Sequence, residues 1–157
     1  MPIAIVEERP DSPDAVRLLA ELDTHLHQHP YPDESRHAFS IDQLVREGVA
    51  FFVVRHEGEP AACGGLKLFG TEYGEVKRTY VRPAYRGLGL GKALLRRLVE
   101  YSQGREVRIL RLETGIYQQE AIGLYERFGF RRRPPFGEYR EDPHSVYYEM
   151  EIHPQRS

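Results

Sequence analysis

The stretch 81–100, VRPAYRGLGLGKALLRRLVE, constrains this chain more than any other. Pro83 ends whatever extended segment precedes it, because it has no N–H to give a ladder. Gly87, Gly89 and Gly91 then alternate, and Leu94, Leu95, Leu98 and Val99 follow at helical spacing. Glycine reaches backbone angles closed to other residues and lets a ligand approach main-chain N–H groups. The first turn of a helix carries N–H groups with no internal partner and a partial positive charge. Strand, bare turn and helix in that order make an anion site, most often for phosphate.

Two phosphate-loop readings fail on single positions. A nucleotide-triphosphate loop of the form Gly-x-x-x-x-Gly-Lys-Ser/Thr would need glycine where Arg86 stands and a hydroxyl where Ala93 stands. A dinucleotide fingerprint would need a glycine three residues beyond Gly89 or Gly91, where the chain has Lys92 and Leu94.

The 157 residues fit one domain, 1–157, with a core that needs no staples. A net charge of −2 argues against nucleic acid as a partner. The apolar run at 50–54, AFFVV, is far shorter than a membrane span. No charged-then-apolar leader opens the sequence, and the single cysteine, Cys63, suits a reducing compartment, so a cytoplasmic location is expected.

Strands are expected at 3–8, on both sides of a Glu57-Gly58 turn, and at 73–81, 107–114 and 145–152. Helices are expected at 12–29, with Ser12 as N-cap and Pro13 first inside, and at 40–47, 89–103 and 118–129. This order gives a mixed α+β sheet rather than βαβ alternation. The basic run RRRPP at 131–135 reads as a solvated strand end.

Arg86-Gly87-Leu88-Gly89-Leu90-Gly91 resembles the pyrophosphate motif of the GNAT N-acetyltransferase superfamily, Arg/Gln-x-x-Gly-x-Gly/Ala. YVRPAYRG before it and AIGLYERFGF after it strengthen the likeness, which extends over essentially the whole chain. The resemblance implies a twisted sheet of six to seven mainly antiparallel strands with about four helices. It implies acetyl-CoA as acyl donor, no metal, and an amine acceptor, small-molecule or peptide; a homodimer is compatible with it. Arg86, Gly87, Leu88, Gly89, Leu90, Gly91 and Lys92 would hold the diphosphate. Main-chain groups of Thr79, Tyr80 and Val81 would meet the pantetheine arm, and Gln118 stands where the family often has asparagine.

Acyl transfer to an amine needs a base first. A primary ammonium titrates near ~10.4, so at pH 7 the free amine is scarce by roughly 3.4 units, about 4.6 kcal/mol. Glu75 falls where many members carry the catalytic glutamate, and Tyr125 matches the tyrosine that protonates or hydrogen-bonds the departing sulfur. Without a bulge Glu75, Lys77, Thr79 and Val81 would share one strand face; the family often has a bulge there. Tyr31, Asp33 and Glu34 are expected acceptor contacts for a cationic amine, whereas Arg36 and Arg140 would suit a substrate carboxylate. Cys63 reads as a small core residue, and His25, His27 and His29 lack the further ligand a metal needs. A coenzyme-A sensor with the same fold and no turnover is the rival reading.

Overall fold

The computed structural model of the chain describes residues 2–36 and 38–154. Its strands are β1 (Ile3–Glu8), β2 (Ala50–His56), β3 (Glu59–Phe69), β4 (Tyr73–Val81), β5 (Ile109–Gly115), β6 (Arg131–Arg133) and β7 (Ser145–Glu151). They form one sheet in the order β1-β2-β3-β4-β5-β7-β6. Every neighbouring pair is antiparallel except β4 and β5. The helices are α1 (Pro13–His27), α2 (Ile41–Arg46), α3 (Leu90–Gln103) and α4 (Gln119–Phe128). The mixed α+β architecture expected from the element order is the one observed. The arginine run at 131–133 is itself a short edge strand on β7.

Helices cover both faces, which is why β2 is an unbroken apolar run rather than an alternating one. Phe52 and Val54 pack with Leu90, Leu94, Leu95 and Leu98 of α3; Phe51 and Val53 pack with Leu18, Leu19 and Leu22 of α1 and Leu44 of α2. The Glu57-Gly58 turn has φ of 51° and 85°, the doubly positive pair that suits the right-handed twist of a hairpin. Among the described residues no helix is long and apolar enough to cross a membrane.

Two features of β4 place the site. Its parallel pairing with β5 covers only Gly74 with Leu110 and Glu75 with Arg111, after which the strands diverge. Beyond that point the β5-facing main-chain groups of β4 have no strand partner among the described residues. The second feature is a bulge. Cys63 pairs with Tyr80 and Gly65 with Lys77, so Gly64 opposes both Arg78 and Thr79, and Arg78 takes φ +58°. One extra residue reverses the facing of everything that follows. The unbulged expectation is therefore corrected. Lys77 and Tyr80 face α1 and α2, while Val76 and Val81 pack toward α3 and α4.

Candidate active site

Serine side chains close the N-termini of α1 and α2: Ser12 accepts from Ala15 N (3.3 Å), and Ser40 forms a reciprocal capping box with Gln43. The N-terminus of α3 is left open. Its N-cap is Gly89, in the left-handed region at φ +79°, with Gly87 likewise at +80°. Among the described residues Ala93 N donates to Gly89 O (3.0 Å), but the N–H groups of Gly87 through Lys92 donate to no backbone carbonyl. A Cβ added to Gly87 or Gly89 would meet nothing within 4 Å. These are the free amides and open space that a linked pair of phosphates requires, so the residues present fit a coenzyme A diphosphate.

A cavity of about 820 Å³ runs from this turn to the divergence of β4 and β5. Thr79, Tyr80, Val81, Arg86, Gly87, Gly89, Leu90, Gly91, Lys92 and Gln118 line it. Leu88, expected with them, is exposed and lies off the wall. Arg86 is partly committed already: it donates to Val81 O (3.3 Å) and pairs with Glu120 of α4 (2.8 Å). His25 and His29 also line this cavity, with His29 stacked on Tyr117 (5.6 Å between ring centres). They build an aromatic wall, and no metal-holding group exists among the described residues.

A second cavity of about 160 Å³ opens on the other side of the divergence. Leu22, Thr79, Gln118 and Ala121 border both cavities, so their contents would meet at that line. Tyr125 lines the smaller one, and burial pushes its hydroxyl up to about 12, so it is a neutral donor at physiological pH. Cys63 has burial to the same effect, its thiol raised to about 12, and it belongs to the core.

Two carboxylates lie on this wall, Asp23 of α1, which pairs with Arg78 (2.7 Å), and Glu113 of β5. Desolvation raises the latter from the ordinary 4.5 to about 7; the Ser145 hydroxyl, which donates to Glu113 Oε2 (2.8 Å), and the Lys77 ammonium oppose that rise. The charges of Glu75 and Asp142 add to it. Sequence reasoning missed Glu113. The available signal was the polar alternation in ILRLET, where Leu110 and Leu112 are buried and Arg111 and Glu113 take the opposite face.

Glu75 sits one layer back. It is buried and accepts from Lys77 Nζ (3.0 Å) and Tyr139 OH (2.5 Å), and those two partners, not Glu75, line the cavity. Asp33 and Glu34 lie on an exposed 3-10 turn and touch neither cavity; Ser35 and Arg36 face it instead. Arg140 is exposed and also off the wall.

Tyr31 is a wall residue with a structural task. Its hydroxyl accepts from Tyr117 N (2.8 Å) and Gln118 Nε2 (3.3 Å), tying the segment after α1 to the start of α4. Gly115 permits this, because a Cβ there would lie 2.1 Å from the Tyr31 hydroxyl. Gly115→Ala should therefore expel Tyr31. We expect a loss of about 1–3 kcal/mol in stability and an acceptor KM raised roughly tenfold, measured by thermal unfolding and initial rates.

A family model, the acetyltransferase (GNAT) family, matches residues 16–130, from α1 through α4. The chain belongs to the GNAT acetyltransferases. It is thus an acetyl-CoA-dependent acyltransferase. An Azospirillum brasilense protein named IAA acetyltransferase is 39% identical over 152 residues, covering 96% of this chain and 98% of the relative. A solved chain from Klebsiella pneumoniae, provisionally assigned as an acyl-CoA N-acyltransferase, is 32% identical with a TM-score of 0.81, covering 96% of this chain and 98% of that one. A family structure from Elizabethkingia anophelis with acetyl-CoA bound has the same fold at 20% identity and TM-score 0.70, over 96% of this chain and 98% of that one.

Proposed function

We propose that the protein moves an acetyl group from acetyl-CoA to a primary amine by direct attack within a ternary complex. The observation that carries this is the meeting of the two cavities along Thr79, Gln118 and Ala121, with bare helix-end amides on one side and Glu113 and Tyr125 on the other. Acetyl-CoA, as substrate, supplies an activated acyl carbon with a good leaving group.

Glu113 takes the proton from the incoming ammonium in this reading. A carboxylate at its ordinary 4.5 is a poor acceptor from an ammonium near ~10.4, and raising it to about 7 recovers on the order of 3 kcal/mol of that gap. Once the amine nitrogen has bonded to the acyl carbon and the C–S bond breaks, the sulfur leaves as thiolate and takes up the surplus proton of the new amide nitrogen, giving the amide and free coenzyme A thiol. Tyr125 donates a hydrogen bond to the departing sulfur. A hydroxyl near 12 is too weak an acid to hand its proton over fully before the bond breaks. Glu75 holds Lys77 and Tyr139 in place as a positioning residue.

The test is release of coenzyme A thiol with a panel of primary amines, each product confirmed by mass. Acetylated product with stoichiometric thiol is expected. Tight binding of acetyl-CoA with no product from any amine would instead make the chain a coenzyme-A sensor.

A further inference from the structure

Ion pairing around the smaller cavity leaves one wall cation, Arg36, and one wall carboxylate, Glu113, without an ion-pair partner among the described residues. Lys77 is neutralised by Glu75, and Asp23 is taken by Arg78 Nη2 (2.7 Å). Two guanidinium groups on the wall keep unused donors. Arg36 donates to the carbonyls of Leu26 (3.3 Å) and His29 (3.2 Å) and lies over the Tyr31 ring; among the described residues no carboxylate pairs with it. Arg78 is held at the bulge with its side chain 3% exposed, and its Nε and Nη1 are buried with no hydrogen-bond partner among the described residues. The two bond to α1 about one turn apart, at Asp23 and Leu26. A buried donor left unpaired is costly, and guanidinium forks match carboxylates in shape and charge.

We propose that the acceptor is a small amino acid, a molecule with a free carboxylate near its amine, held by Arg36 and Arg78 while the amine faces Glu113. This deepens the transferase reading and rests on it. A polycation fits less well, because Asp23 is already spent and Asp33 and Glu34 lie outside. The size agrees: about 160 Å³ is close to the ~150 Å³ of an apolar cavity that takes one benzene. A peptide N-terminus would enter without the carboxylate, which the amide bond has consumed.

The experiment compares three forms of each acceptor: the free amino acid, its carboxamide and the decarboxylated amine. Thiol release is measured with the whole protein and acetyl-CoA. At least one free amino acid is expected to exceed both partners by about 30-fold in kcat/KM, the worth of a charge-assisted pair. Arg36→Gln should raise the KM for that amino acid roughly tenfold or more and erase most of the preference. Arg78→Gln should do the same, and Arg36→Gln keeps the test decisive if the buried variant fails to fold. Carboxamides or plain amines that perform as well as the free acids would overturn the proposal. A calorimetric titration of amino acids into the coenzyme-A-loaded protein separates the two readings. Binding that requires the carboxylate, without turnover by any acceptor, would sink the transferase reading and keep the site, whereas turnover of amines with no such binding would sink the site alone.

Discussion

Glu113→Gln is expected to lower kcat/KM by about 100-fold or more at pH 7, the usual worth of a positioned base. The wild-type rate should fall about tenfold per pH unit below an apparent pKa of about 7 and level off above it. In the variant the break near 7 should vanish and the rate should keep rising with pH toward the acceptor's own titration, so the deficit shrinks. Stability supplies the control. Because the folded pKa lies above the ordinary 4.5, the native state binds more protons between the two values, and ionising Glu113 destabilises it as pH rises. The wild type should thus lose melting temperature relative to Glu113→Gln between pH 5 and 8, so lost activity cannot be blamed on unfolding. Two comparators sharpen the result. Tyr125→Phe should cost only about tenfold, since it removes a hydrogen bond to a group that leaves readily. Glu75→Gln should depress the rate equally at all pH values and lower the melting temperature, because Lys77 loses its buried counter-charge. If instead Glu75→Gln removes the break near 7 and Glu113→Gln leaves it, the roles of the two carboxylates are reversed.

Gly89→Glu is expected to weaken coenzyme A binding by more than 100-fold. The residue sits at φ +79°, where an L side chain costs roughly 1–2 kcal/mol. It would also set a negative charge at the end of α3 where the diphosphate should lie. At an effective dielectric near ~20, one charge about 5 Å from another costs on the order of 3 kcal/mol, and the diphosphate carries more than one. Gly89→Ala carries the backbone strain without the charge. It should lose far less affinity, and the gap between the two variants should narrow in high salt. Calorimetry of coenzyme A against the two variants reads this directly. Unchanged affinity in Gly89→Glu would mean the diphosphate does not rest on this turn.

The legible parts of the sequence were those governed by local rules. Ser12 and Pro13 mark the start of α1, Glu57-Gly58 turns the hairpin, and Gly129 ends α4 with φ +125°. The bulge at Arg78 is less local, because a positive φ on arginine is imposed by how β3 and β4 meet rather than by the residue itself. The acidic pair Asp33 and Glu34 looked like acceptor contacts only because nothing in the sequence says which side of a short turn faces inward. Arg36, one helical turn further on, is the neighbour that does.

The order of strands and helices, the capped and uncapped helix starts and the bare glycine turn follow from the sequence alone, since each depends on residues within a few positions of one another. Which carboxylate reaches the cavity wall was decided only by the tertiary structure. Glu75 and Glu113 lie on neighbouring strands that pair for two residues and then part. That divergence, with Lys77 and Tyr139 placed over Glu75, buries one carboxylate in an ion pair and leaves the other on the cavity wall with its proton affinity raised. Long-range packing sets both the access and the desolvation, and neither is written in the residues beside them.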